Sequence, residues 1–410
     1  MRAPPAGKAA ESLLLTREGC DREPPCLPAA SRTRRAAVLA VSASLLCGRQ
    51  APPARATASS ATTLTLPLQQ AAGGILTTGV FIDGEPFRLI VDTGSPYMVV
   101  PLDNCFTQPP KLSYYGCASP GQFRASGQPS TIEQYGALPG RMDWVEGDAS
   151  FGETDVDVSD DGSLTLLLRL TGAMSLRAGG RLTFGAADRN VMSQSGGALL
   201  GLIKRVNRSP GSTIAAADLR PTVLEQLRLE SYRLDAPRRT LTLSNAPLIS
   251  PGIDALPLVD PRAFGDGVEH ACCRVAEDSL VLDGRTYRTQ RPLLCVFDSG
   301  LTGCVLSASL VHELGLSSQV PAKAPRSLAD VGGEGRLHSL RLAVRTELGQ
   351  RVELGSGQGE SPLFYAQSIA LDWFADAVNG PHVVALGQCV LSSGVLTVDG
   401  TRGRALWMAG

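Results

Sequence analysis

Two Asp-[Ser/Thr]-Gly tripeptides hold the residues of this chain best suited to chemistry. Asp92-Thr93-Gly94 closes the apolar run Phe87-Arg88-Leu89-Ile90-Val91, and Asp298-Ser299-Gly300 closes Leu293-Leu294-Cys295-Val296-Phe297. One such tripeptide arises by chance on the order of a third of a time in a chain of this composition, so the flanks must decide its meaning. In both copies a β-rich run delivers the aspartate into a turn with Gly two residues on, and a second apolar stretch follows, Tyr97-Met98-Val99-Val100 or Cys304-Val305-Leu306. This is an internal repeat, and it implies two similar lobes. Two carboxyls brought into contact cannot both ionise; they share one proton and titrate as a pair, one member serving as base and the other as acid. Such a pair can activate water against a carbonyl without a covalent intermediate. Gly94 and Gly300 let the backbone approach the carboxylates closely, and the Thr93 and Ser299 hydroxyls are placed to brace one loop against the other.

The elements that must position these loops read as short strands. Thr63-Leu64-Thr65-Leu66-Pro67-Leu68, Gly79-Val80-Phe81-Ile82, Phe87 to Val91, Ser163 to Leu168, Arg181-Leu182-Thr183-Phe184 and Thr240-Leu241-Thr242-Leu243 alternate or cluster β-formers between Gly, Pro, Asp and Asn. The second half repeats the texture at Tyr287 to Phe297, Leu337 to Val344 and Val383 to Val398. Helices are expected only at Pro221 to Leu227, with Thr222 or Asp218 as cap, and at Ser307 to Leu314, capped by Ser307 and stopped by Gly315. The fold class is therefore all-β, with a lobe boundary marked by Pro247, Ser250 and Pro251.

Composition bounds the partners. A chain of 410 residues that is 43 % hydrophobic can bury a large core, and a formal net charge of −1 gives no global field for nucleic acid or an anionic membrane surface. No apolar run reaches the length of a bilayer span. No Cys-x-x-Cys or His-x-x-x-His occurs, so neither a metal nor any cofactor is called for, and a Gly-x-Ser-x-Gly elbow and a phosphate-cradling Gly-x-x-x-x-Gly-Lys loop are also missing. Asn207-Arg208-Ser209 is a glycosylation sequon followed by Pro210.

The first 58 residues read as an address. Ser31-Arg32-Thr33-Arg34-Arg35 is a basic segment, Ala36 to Val41 begins a hydrophobic one, and Ala54-Arg55-Ala56 or Ala56-Thr57-Ala58 supplies small residues at cleavage spacing. Because Arg-, Ala- and Pro-containing residues precede it, the whole resembles a bipartite presequence, a plastid transit segment followed by a twin-arginine lumen signal. The expected address is the chloroplast, in the thylakoid lumen, with secretion or the endomembrane system as the alternative. Glu11, Glu18, Asp21 and Glu23 run against the acid-poor habit of transit segments. Removing it leaves Cys105, Cys117, Cys272, Cys273, Cys295, Cys304 and Cys389, an odd set. Cys105 and Cys117 bracket a short polar loop, and a disulfide is expected there, stabilising by roughly 3 kcal/mol through loop closure. Cys295 and Cys304 flank Asp298, each expected as a buried, inert thiol.

From Leu64 to Met408 the landmarks resemble the pepsin-like aspartic peptidases. Gly79 to Phe87 is similar to the family's strand and turn ahead of its first aspartate, Asp92-Thr93-Gly94-Ser95 to its first active-site loop, and Tyr135-Gly136 to its substrate flap. Cys105 stands where the family often begins a small disulfide. Gly197 to Leu202 resembles the apolar-apolar-Gly element that crosses under the first aspartate, and Val383-Val384-Ala385-Leu386-Gly387 resembles its partner. The resemblance implies a bilobal fold, with residues 59–247 and 248–410 as lobes around a cleft. It also implies Asp92 and Asp298 as the catalytic pair, a Tyr135 that closes over an extended polypeptide, and a hydrogen bond from Ser95 to Asp92.

Departures from the family pattern shape the expectation. The position after Gly300 commonly holds Thr or Ser and here is Leu301, which removes one stabiliser of a charged Asp298, so activity should extend towards neutrality. The family's usual Trp after the first aspartate is Val99, which leaves flap anchoring to other residues. The core pattern begins at Leu64, so no room for a basic prosegment is expected. The favoured reading is an aspartic endopeptidase, monomeric because one chain supplies both aspartates, which also argues against a one-lobed homodimer. The alternative is a catalytically silent protein of the same fold that binds another protein or peptide.

Overall fold

Alternation of apolar and polar residues sets the first strand, Thr63–Pro67, with Leu64 and Leu66 buried and Thr63 and Thr65 exposed. The computed structural model describes residues 63–71, 74–102, 116–133, 140–158, 164–174, 181–187, 198–204, 220–260, 269–320, 337, 339–355, 364–366 and 380–410. All of them lie in one unit, Ser59–Gly410. The chain is all-β with a few short helices: strands fall into four sheets, and the described helices are Val223–Gln226, Ala308–Glu313 and Gln388–Leu391.

A six-stranded sheet joins the two halves of the chain. Its order is Thr63–Pro67, Thr240–Ser244, Ser231–Asp235, Gly394–Asp399, Arg404–Ala409 and Leu256–Pro257, and the join is Ser231–Asp235 antiparallel to Gly394–Asp399. An eleven-stranded sheet draws only on residues between Gln69 and Gly201. Five-stranded and four-stranded sheets draw only on residues between Cys272 and Leu386.

The halves repeat one arrangement. In the first, Glu85–Asp92 runs parallel to Ala198–Gly201, which pairs antiparallel with Met98–Pro101, itself parallel to Leu182–Ala187. In the second, Leu293–Phe297 runs parallel to His382–Leu386, which pairs antiparallel with Cys304–Leu306, itself parallel to Phe364–Ala366. Both central strands are buried on both faces, as their unbroken apolar runs require. Asp-Gly turns precede both aspartate strands. Asp83 and Gly84 (φ 52° and 88°), like Asp283 and Gly284 (46° and 77°), adopt the left-handed conformation that a two-residue hairpin demands. Their carboxylates also act alike, Asp83 accepting from the Asp148 N–H at 2.8 Å and Asp283 from the Ser339 N–H at 2.7 Å.

Boundaries differ from the sequence reading where backbone chemistry intervenes. The strand expected over Tyr287 to Phe297 divides into Arg285–Tyr287 and Leu293–Phe297, with Pro292, which has no N–H to give a ladder, at the break. Val383 to Val398 is strand, helix and strand, because the chain turns at Gly387 into Gln388–Leu391. Thr222 caps Val223–Gln226 in a full capping box with Glu225, whereas Ser307 caps Ala308–Glu313 without a side-chain bond. Among the described residues, no helix is long and apolar enough to cross a membrane.

Candidate active site

Asp92 ends its strand opposite Gly201, and Asp298 follows directly after Phe297, which lies opposite Leu386. Each aspartate therefore leaves a buried strand beside a glycine, Gly201 or Gly387, over which its loop folds back. A Cβ at Gly201 would come within 2.5 Å of the Ser95 carbonyl oxygen and the Tyr97 nitrogen, and one at Gly387 within 2.6 Å of the Leu301 carbonyl. Only glycine fits at either crossing.

The two loops meet and brace each other reciprocally. Thr93 Oγ1 donates to the Phe297 carbonyl at 2.8 Å and accepts from the Ser299 N–H at 2.9 Å. Ser299 Oγ donates to the Val91 carbonyl at 2.6 Å and accepts from the Thr93 N–H at 3.1 Å. All four bonds are buried, so loss of either hydroxyl would strand groups on both loops. Gly94 and Gly300 bring the backbone against the opposite carboxyl: a Cβ at Gly94 would lie 2.5 Å from Asp298 Cγ, and one at Gly300 would lie 2.6 Å from Asp92 Cγ. The N–H of Gly94 donates to Asp92 Oδ1 at 2.8 Å and that of Gly300 to Asp298 Oδ1 at 3.0 Å.

The carboxyls of Asp92 and Asp298 lie together where the two loops meet, each against the glycine of the opposite loop and near enough for Asp92 to act on Asp298. Their surroundings are unequal. Ser95 Oγ donates to Asp92 Oδ2 at 2.5 Å, while the equivalent position in the other loop is Leu301. Asp298 keeps an exposed edge, yet packing around its carboxyl holds its pKa well above the ordinary carboxylate value. The neighbouring Asp92 carboxyl pushes the same way, and the N–H groups of Gly300 and Leu301 only partly oppose this.

Seven of the residues picked out by sequence, Asp92, Thr93, Gly94, Ser95, Asp298, Ser299 and Gly300, gather at this point. Tyr135 and Gly136 lie outside the described residues, as does Cys105, the proposed partner of Cys117. Strands Thr131–Glu133 and Gly140–Gly147, on either side of Tyr135, pair antiparallel.

Three further residues support the site. Tyr97 packs edge-on against Trp144 with ring centroids 4.9 Å apart, and Trp144 Nε1 donates to Thr131 Oγ1 at 3.0 Å, tying the loop after Asp92 to both of those strands. Val99 thus gives way to a Tyr97–Trp144 pair from different segments, which spacing along the chain does not signal. Gln388 is the third: its N–H reaches the Leu301 carbonyl at 2.7 Å and its Nε2 the Ser299 carbonyl at 2.8 Å, fixing the second turn. Beside the first loop, Tyr232 is buried, and burial together with the Asp92 charge raises its phenol above the usual value. A cavity of about 320 Å³ lined by Thr93, Tyr232, His270 and Val398 reaches this loop but has neither aspartate on its wall. Among the described residues, no three His, Cys, Asp or Glu side chains gather where they could hold a metal ion.

No family model matches the chain, and no curated protein matches it closely enough to be counted a relative.

Proposed function

We propose that the chain is an aspartic endopeptidase of the pepsin-like family, with lobes 59–247 and 248–410 and a targeting presequence over 1–58 addressed to the thylakoid lumen. The observation that carries the reading is the facing Asp92 and Asp298 loops, held by reciprocal Thr93–Ser299 bracing and by Gly94 and Gly300 at the opposite carboxyls. A turn at the end of a strand needs none of this cross-bracing; a shared proton does.

The asymmetry supports a division of roles. Asp92, with the Ser95 hydroxyl and the Gly94 N–H on its oxygens, is the ionised member and takes a proton from water as that water attacks the scissile carbonyl. Asp298, raised by packing and by its neighbour, is the protonated member and donates to the carbonyl oxygen, giving a tetrahedral diol. Collapse reverses the transfers, the amine leaving with a proton from Asp92. The substrate is an extended polypeptide under a flap carrying Tyr135, with pockets for alternate side chains.

A second reading, a silent member of the fold that binds a protein or peptide, is favoured by Leu301 alone, since it deprives Asp298 of a hydroxyl donor. Cleavage of an unfolded protein from about pH 3 to 8 separates the two. Activity that disappears in both Asp92→Ala and Asp298→Ala supports the peptidase; a folded chain inactive at every pH supports the binding protein.

A further inference from the structure

Cys304 and Cys389 are 85 residues apart in sequence, yet their Sγ atoms lie 3.2 Å from each other and both are present as thiols. Each belongs to a segment that holds Asp298. Cys304 begins the strand Cys304–Leu306 that leaves the Asp298 turn, and Cys389 sits in the helix Gln388–Leu391 entered from Gly387. Main-chain bonds already tie the two segments, from Gln388 N–H to the Leu301 carbonyl at 2.7 Å and from Cys389 N–H to the Thr302 carbonyl at 3.0 Å.

We propose that Cys304 and Cys389 form a reversible disulfide that clamps the Asp298 turn to the Gly387 crossing. A disulfide bond of about 2.05 Å asks the sulfurs to approach by roughly a further ångström, within reach of side-chain rotation at the start of a four-residue helix. The burial of the pair sets the order of events. Cys304 is fully buried and Cys389 only partly, so an external disulfide meets Cys389 first. The Cys389 thiolate attacks a small disulfide R–S–S–R, forming a mixed disulfide and expelling one R–S⁻, which takes up the proton Cys389 lost. Cys304 then gives up its proton and attacks Cys389 Sγ, the second R–S⁻ leaves and is protonated, and two protein thiols have been oxidised while one external disulfide is reduced to two thiols. No other oxidant enters.

The remaining described thiols, Cys272, Cys273 and Cys295, are all buried. Cys273 and Cys295 face each other across paired strands, and burial raises both, Cys295 to about 12, which leaves those two poor nucleophiles. Cys389 is the more accessible entry.

The inference does not depend on peptidase activity, and its test reads none. The chain is incubated with oxidised glutathione, then separately with dithiothreitol; thiols are alkylated and the digest mapped by mass spectrometry. The expected result is a linked peptide containing Cys304 and Cys389 that dithiothreitol removes. With it should come a Tm higher by about 6 °C from closing so long a loop and slower amide exchange at Thr302 to Cys304. Cys389→Ser, or Cys389→Ala should the serine variant not fold, should abolish the glutathione-dependent rise in Tm and the slowed exchange. Alkylation of both cysteines after oxidation of a folded chain would overturn the proposal. So would a glutathione adduct that stays on Cys389, or a link that leaves Tm and exchange unchanged.

Discussion

Ser95 Oγ donates to Asp92 Oδ2 at 2.5 Å, and at the equivalent place in the second loop Leu301 offers no hydroxyl to Asp298. The dyad is therefore built unevenly, and its pH behaviour should show it. A hydroxyl on a carboxylate favours the charged form by about 1.5 kcal/mol or more, close to one pH unit. Leu301→Ser should move the alkaline limb of the cleavage profile, set by loss of the Asp298 proton, down by about one unit, and Ser95→Ala should move the acid limb up by a similar amount. Profiles of the two variants beside the parent decide the matter; an optimum below about pH 3.5 in the parent would contradict the argument from Leu301.

Asp298 gives a stability test free of any substrate. Its folded pKa is raised above the unfolded carboxylate value, so the folded state binds more protons between the two. Stability from this group is full below the unfolded value and is lost as pH rises through the folded one. Asp298→Asn removes the charge that must be buried at neutral pH. Urea unfolding should find this variant more stable than the parent at pH 7, with the difference shrinking towards pH 4.

The close approach of Gly94 to the opposite carboxyl permits no side chain. Gly94→Ala would drive a methyl into Asp298, and neither the carboxyl nor the braced loop can give way. Loss of more than about a hundredfold in kcat is expected, with a destabilisation of about 2 kcal/mol or more. Thr222→Ala, remote from the dyad but ending a capping box, should cost about 1 kcal/mol and leave kcat unchanged.

His382 sets an acid limit to stability. It is buried; Arg291 faces both ring nitrogens, Nη2 at 3.0 Å from Nδ1 and Nε at 3.4 Å from Nε2, Ser309 Oγ lies 2.9 Å from Nδ1, and Glu313 Oε2 lies 2.7 Å from Nε2. Burial lowers its pKa below the usual imidazole value; the bond to Glu313 only partly offsets this, and the Arg291 charge adds to the lowering. The unfolded chain therefore takes up a proton first as pH falls, and stability drops from about pH 6.5 downwards. His382→Gln should flatten the stability difference between pH 7.5 and pH 5, as measured by urea unfolding.

Much of this was legible in sequence because the dyad's needs are local. A strand, an Asp, a hydroxyl residue and a Gly are contiguous, and both crossing elements, Ala198–Gly201 and His382–Leu386, keep short apolar runs ending next to or at a glycine. What escaped depends on contacts made across the fold. Tyr97, in the loop after Asp92, meets Trp144 from the strand Gly140–Gly147, and Gln388 reads as one polar residue inside an apolar run until Gly387 turns it towards Ser299. Cys304 and Cys389 each look like an inert core thiol when taken singly, and only the antiparallel pairing of Cys304–Leu306 with His382–Leu386 brings the helix bearing Cys389 beside Cys304.

The central claim is that Asp92 and Asp298 share one proton in a single assembled site. The most direct test is calorimetric titration with a statine-type peptide, whose hydroxyl takes the place of the attacking water between the carboxyls, against the parent, Asp92→Ala and Asp298→Ala at the pH of best activity. Tight one-to-one binding to the parent, weakened at least about a hundredfold by either substitution, is the expected result. Equal binding to all three folded chains would contradict it.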